Sequence, residues 1–300
     1  MAETGKSRLW LKILGYPLFF IIIFVPSVFL TFPLDRIRAR ALLEVEKRLN
    51  RKIDVASLEA TVTGGVRIKD LAIHDKADPN SKVLLEVPGV TARLGLFALI
   101  TGALQINVEA DLFGGGLDCS FTKKGQNQDI IISWSDIPLN KITQFRDYLG
   151  VELSGNSQGR AEVKIEKKKI SRSSGQLELK VFGAAIQGGK VRGFALPHMV
   201  LGDLDWKAKL DKGRLILKNL KAESDDVRFS ADGSITLSDR INNSRLNLKT
   251  IFSFSDRFLE KNKAIKGGLS LLRRALGKDK SYGYRITGTL RRPIPRPWRR

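Results

Sequence analysis

Two hydrophobic patterns divide the chain. The first has no period: Ile13–Phe32, ILGYPLFFIIIFVPSVFLTF, is twenty residues without a charge. At about 1.5 Å per helical residue it reaches roughly 30 Å, the hydrocarbon thickness of a bilayer. Pro17 and Pro26 fall inside it, where a membrane helix tolerates proline better than a soluble one, and Pro33 ends it. The stretch reads as an uncleaved single-span anchor, with Ile13, Phe19, Phe20, Ile22, Phe24 and Phe32 as its expected lipid contacts. A cleaved signal peptide is the weaker reading, because such apolar regions are usually about 7–15 residues long. The nearby small-x-small site, Ala39–Ala41, also lies beyond Asp35, Arg36 and Arg38. A buried soluble helix is the third reading.

The second pattern is alternation. A helical stretch comes first, with Leu34, Ile37, Leu42, Val45 and Leu49 near one face and charges around the rest. From Ile53 the apolar residues recur mostly every second position, broken by glycine and Asn/Asp turns. Val66–Ile68 and Leu71–Ile73 predict one strand with a bulge at Asp70; Val83–Val87 and Val90–Leu94 predict two strands about a Pro88-Gly89 turn. Leu104–Leu112, Leu117–Phe121, Ile130–Trp134, Leu177–Val181, Leu204–Leu210, Leu215–Leu217, Val227–Leu237, Leu246–Phe254 and Tyr282–Leu290 continue the series. The total is about fourteen strands. At about 4.8 Å between neighbours they would make a sheet roughly 65 Å long.

Two helices interrupt the strands. Ile137–Gly150 places Ile142, Phe145 and Leu149 on one side. Lys261–Leu276 places Ile265, Leu269, Leu272 and Leu276 on one face, with Lys263, Lys266, Arg273 and Arg274 around it. That basic amphipathic pattern fits a lid on the sheet or a helix touching lipid headgroups, and Gly267-Gly268 weakens it. The tail RRPIPRPWRR cannot be a central strand, because Pro293, Pro295 and Pro297 lack donors. Trp298 is its candidate interfacial or partner anchor.

Charge narrows the partners. Lys plus Arg exceed Asp plus Glu by 52 to 31, a net +21. Ile251–Arg300 alone carries fourteen basic and three acidic residues. An excess of this size favours anionic partners, and on a tethered chain lipid or acidic protein ranks above nucleic acid. The basic residues are not interleaved with stacking aromatics, so nucleic-acid binding has no supporting module. Lys6, Arg8 and Lys12 precede the anchor; Arg36, Arg38, Arg40, Lys47 and Arg48 follow it, so charge counting leaves the orientation open.

Candidate chemistry is sparse. His74 and His198 stand far apart without metal-ligand spacing and read as turn or strand-edge residues. Cys119 is the single cysteine and reads as a small strand residue, which excludes an intrachain disulfide and a thiolate zinc cluster. Gly114-Gly115-Gly116 reads as a bulge or tight turn, and Asp225-Asp226 as a solvated turn; no nucleophile elbow or phosphate loop occurs. The expectation is a non-enzymatic protein with no cofactor and no metal.

The succession of anchor, amphipathic helix, GGVRIKDLAI and VTARLGLFALITGALQINVEADLFGGGLDCSF resembles the start of AsmA-like envelope proteins. More closely it is similar to the type II secretion system protein N family of Gram-negative bacteria. KGRLILKNLKAESDDVRFSADGSITL and YGYRITGTLRRPIPRP carry the resemblance through the middle and the end. It implies a mainly β protein: a transmembrane helix, then a long, curved, mostly antiparallel sheet like a folded taco, with a few short amphipathic helices. It also implies an inner-membrane protein with 1–12 as a cytoplasmic tail, 13–32 as the anchor and 33–50 as an amphipathic helix. A periplasmic β-rich domain would follow over 51–290, including the 261–276 helix, and 291–300 would be a basic proline-rich tail. Two functions follow. One is a structural or assembly component of the type II secretion system, bound to inner-membrane lipids and to other secretion components. The other is a lipid-binding or lipid-transfer protein holding lipid in an apolar groove.

Overall fold

The computed structural model describes residues 43–44, 46–47, 51–61, 65–74, 81–143, 145–146, 150–167, 169–191 and 194–298. The expected anchor at 13–32 lies outside them, as does most of the expected 33–50 helix, whose described residues are helical. Among the described residues no helix is long and apolar enough to cross a membrane. The chain divides after Arg93 into two compact units.

The first unit is an antiparallel meander of β1 (Ile53–Thr61), β2 (Gly65–His74) and β3 (Val83–Leu94). Two local expectations change here. Asp70 takes a left-handed backbone (φ 49°), yet Lys69 and Leu71 keep regular partners on both sides, so the phase slip is a distorted residue and not an inserted one. Pro88-Gly89 does not turn: β3 runs straight through it, because a proline in extended backbone need only forgo one ladder donor.

His74 ties this unit together. It is buried at the end of β2; its Nδ1 lies 3.0 Å from the Ser81 carbonyl and its Nε2 2.9 Å from Asp54 Oδ2. Both partners are acceptors, so both ring nitrogens donate when the imidazole is protonated. The Ser81 carbonyl, then the Asp54 carboxylate, hold its pKa above the ordinary 6.5 against the opposing effect of burial.

The second unit is one antiparallel sheet. In order across it stand β4 (Ala103–Leu112), β5 (Gly115–Lys124), β6 (Asn127–Pro138), β7 (Val151–Ile165) and β8 (Ser174–Val191). β10 (Met199–Asp211), β11 (Arg214–Glu223), β12 (Val227–Thr236), β13 (Arg245–Phe254), β14 (Tyr282–Gly288) and β15 (Pro293–Pro297) complete it. The three-residue β9 (Phe194–Leu196) pairs only with the end of β8. The glycine triplet is a tight hairpin turn, with Phe113 (φ 56°) and Gly114 (φ 90°) joining β4 to β5.

The tail pairs, but only at the edge. Trp298 N donates to the Gly283 carbonyl at 2.9 Å, so the even-numbered residues of the tail point their donors at β14. Pro293, Pro295 and Pro297 therefore turn their missing donors outward, which leaves no ladder for a further strand.

α1 (Leu96–Ile100) precedes β4. Within the expected 137–150 helix, Leu139–Lys141 is a 3-10 turn and Phe145 and Arg146 are helical, while 144 and 147–149 lie outside the described residues. The expected 261–276 helix is broken: α2 (Asp256–Lys261), α3 (Lys263–Leu269) and a 3-10 stretch, Ser270–Ala275. Asn262, at φ −120° and ψ 68°, makes the first break, and Gly267-Gly268 precedes the second.

Two expectations test this fold. Gly159 sits where an added Cβ would meet the Trp134 ring and the Glu178 carbonyl oxygen. Gly159→Val should cost about 1–3 kcal/mol by overpacking, read as a lower urea midpoint. The His74 bridge stabilises in full below the ordinary imidazole range and is lost as pH rises through the raised value. Melting temperature should therefore fall from about pH 6 to about pH 9, and His74→Gln should flatten that dependence.

Candidate functional site: an apolar row across the sheet

The strand registers align one residue from each long strand of the second unit. Val108 pairs with Cys119, Cys119 with Ile132, Ile132 with Ala161 and Ala161 with Leu177. The same line continues through Ala208, Leu217, Gly233, Leu248 and Ile286 to Pro295. No member is polar beyond the Cys119 thiol. At about 4.8 Å per step, ten steps make a row of roughly 48 Å.

Flanking rows match it. Ile106, Phe121, Ile130 and Val163 align on one side, and Leu117, Trp134, Gly159, Leu179 and Trp206 on the other. The bulges between Trp134 and Ile137, Val200 and Leu204, and Leu217 and Leu220 lie to one side of the central row and leave it intact. The last of these inserts one residue, which keeps Leu220 and Ala222 opposite Ala231 and Phe229 on the apolar face.

Most of this face is half-buried. Cys119, Ile132, Leu177, Leu179, Trp206, Leu248 and Ile286 are all intermediate in exposure. The main contacts of each strand are with its sheet neighbours, and among the described residues no second sheet is stacked on the face. Trp206 Nε1 is buried there without an acceptor, and desolvation pushes the Tyr284 hydroxyl pKa up. Both mark a poorly hydrated surface. Phe252 stacks on Tyr282 and Tyr284 at 5.5 and 6.3 Å, extending it with aromatic rings.

The opposite face is charged. Arg160 stands opposite Glu178, and Glu178 opposite Lys207, with Lys207 Nζ 3.0 Å from Glu178 Oε1. Arg160 holds the Glu162 carboxyl below its ordinary range and Glu178 holds Lys207 above it. A hollow of about 780 Å³ on this side is lined by Gln176, Glu178, Asp205, Lys207, Lys209 and Lys218. It is open and partly ion-paired, and nothing in it converges on a buried polar group. These exposed pairs are screened by water, so the sheet is held by its ladder and its apolar face.

The helices close one corner of the apolar face. Phe258 of α2 is 4% exposed and packs with Met199 and Val227, flanked by Phe254, Leu259 and Ile265. The Phe254 and Phe258 rings lie 5.5 Å apart. Ser255 caps α2, its side chain accepting from Phe258 N. Lys263, Lys266, Arg273 and Arg274 are exposed around the back of this lid, as is Leu271. Trp298 lies over Gly283, with Lys249 Nζ 5.0 Å from its ring centroid. The anchor residues Ile13, Phe19, Phe20, Ile22, Phe24 and Phe32 lie outside the described residues.

The remaining candidates serve the fold. Asp226 is not simply solvated: its carboxylate accepts from Val200 N at 2.9 Å. His198 is exposed, and among the described residues no group of His, Cys, Asp and Glu could hold a metal. Comparison with protein-family models, with curated proteins and with solved structures finds no match for the chain. Fold and surface together define a mainly β protein whose second unit is an antiparallel sheet with one apolar and one charged face.

Phe258 is the contact that holds the lid. Phe258→Ala should cost about 3–5 kcal/mol in a core of this kind. Limited proteolysis after Lys261, Lys263 and Lys266 should speed up, while cleavage within the β4–β8 part of the sheet stays slow.

Proposed function

We propose that the chain is a membrane-tethered, non-enzymatic protein whose apolar sheet face shelters the acyl chains of lipids. The observation that carries this reading is the unbroken Val108-to-Pro295 row on a half-exposed face. Its function lies in surface and shape: each acyl methylene moved from water onto such a face gains about 0.8 kcal/mol. A charged opposite face keeps such a sheet soluble while one side stays apolar. The uncharged Ile13–Phe32 segment supplies the tether, and the resemblance to AsmA-like envelope proteins favours an inner-membrane anchor with the bulk of the chain periplasmic.

A second reading is a structural component of the type II secretion apparatus, contacting other secretion components and inner-membrane lipid. It is favoured by YGYRITGTLRRPIPRP, which is similar to that family's closing strand and proline-rich tail and forms β14 and the proline-edged β15. A closed edge suits a part that must not add strands from neighbours.

The single cysteine gives the test. Cys119 lies within the apolar row, so a bimane fluorophore attached there reports the polarity of the face. The full chain, purified in mild detergent, should carry phospholipid in near-stoichiometric amount, and delipidation should red-shift the probe. Ile132→Glu with Leu248→Glu places carboxylates at half-exposed positions and should cut bound lipid at least about tenfold. No bound lipid, or equal lipid in the variant, overturns the lipid reading. Loss of exoprotein secretion in a deletion strain with normal lipid distribution supports the secretion reading instead.

A further inference from the structure

We propose that the turns at the end of the sheet where β4 begins form a docking surface for an anionic bilayer. The topology brings five separate turns and α1 to that end, because antiparallel strands return every second connection to the same side. Hydrogen bonds join the five turns in a row, and α1 stands at its β4 end. Lys167 N donates to Asn127 Oδ1, Gly213 N to the Ser173 carbonyl, Leu237 N to the Gly213 carbonyl and Leu290 N to the Ser244 carbonyl. Ser173 and Ser244, 1% and 0% exposed, are the buried pins of this rim.

The charge on it is one-sided. Residues 123–126, 166–167, 169–172, 211–214, 239–245 and 289–292 carry eleven basic and three acidic side chains among twenty-five. The turns at the other end need fifty-seven residues (113–114, 136–143, 145–146, 182–191, 194–198, 224–226 and 255–281) for the same eleven, against six acidic. All the rim cations except Lys123 are exposed, and among the described residues none is ion-paired. These residues come from separate stretches of the chain, which the fold brings to one end.

Apolar side chains stand among those cations. Phe97 and Ile100, three apart on α1, are 80% and 82% exposed, and Ile241 is 64% exposed in the turn that also holds Arg240 and Arg245. Leu290, beside Arg291, is exposed as well. Cations attract anionic headgroups within about a Debye length, and apolar side chains at turn tips enter the headgroup boundary. An acidic protein surface would satisfy the cations and leave Phe97 and Ile100 without a partner, so the bilayer fits both sets of residues. The rim spans roughly 43 Å from β4 to β14 at about 4.8 Å per strand. This inference does not rest on what the apolar face holds.

The test uses the full chain, reconstituted in phosphatidylcholine vesicles and mixed with labelled acceptor vesicles with or without about 30% phosphatidylglycerol. Co-sedimentation should show capture of the anionic acceptors alone, fading between about 0.05 and 0.5 M salt. Lys167→Gln, Lys169→Gln, Arg172→Gln, Arg240→Gln and Arg291→Gln together should reduce capture at least about tenfold with an unchanged circular-dichroism spectrum. Lys263→Gln, Lys266→Gln, Arg273→Gln and Arg274→Gln together should leave it near wild type. Phe97→Ser with Ile100→Ser should weaken capture at constant charge. Equal capture of neutral acceptors, wild-type capture by the five-site variant, or equal loss in the four-site variant overturns the proposal. So does capture that ignores Phe97→Ser with Ile100→Ser yet is fully competed by polyglutamate, which would assign the rim to an acidic protein. The Cys119 probe reads the acyl-binding face separately from each of these outcomes.

Discussion

Everything in the second unit depends on register. Side chains alternate across a strand with period two, so one slipped residue would carry a whole apolar set to the other face. Eleven strands hold Val108, Cys119, Ile132, Ala161, Leu177, Ala208, Leu217, Gly233, Leu248, Ile286 and Pro295 in one line. The irregularities stand off that line, and where β11 takes an extra residue between Leu217 and Leu220 the face is restored beyond it. A ladder this regular gives a surface that is apolar on one side, charged on the other, and laterally continuous.

A sheet with one apolar face meets two hazards, exposed grease and open edges. One corner of the grease is covered where Phe258 and Leu269 of the short helices are buried. Elsewhere the side chains shield one another to an intermediate degree, and Trp134 gains room from the missing side chain of Gly159. The edge at β15 is closed chemically: alternating prolines place every missing donor on the outward side. The anchorage of β15 on β14 also explains Trp298, whose backbone donates to Gly283 and whose ring meets Lys249.

Charge is organised by the same antiparallel return. The basic excess of the chain is distributed along the sequence, apart from its rich last sixth. Folding sorts it by strand end: one end gathers Lys167, Arg172, Arg240 and Arg291 with few acids, and the other mixes Lys263 and Arg273 with Asp225, Asp256 and Glu260. The cations on the polar face are different again, since Arg160 and Lys207 are matched by Glu162 and Glu178. The rim is set apart by its few acids and by exposed Phe97, Ile100 and Ile241 among its cations.

The sequence by itself determined the strands and their faces, because alternation such as Leu177-Glu178-Leu179-Lys180-Val181 needs only the two-residue period to be read. It also narrowed the glycine triplet to a bulge or tight turn and kept the proline tail out of the sheet's interior; the structure made these a hairpin and an edge strand. It misjudged Pro88-Gly89 and the length of the 261–276 helix, where pairing to β2 and packing of Phe258 outweigh local preference. The His74 bridge was out of reach, since Asp54 and Ser81 come to it only when β1 and β3 flank β2. Only the tertiary structure decided which residues share a row and which turns share an end. Those relations are set by long-range pairing between strands, and no local period contains them.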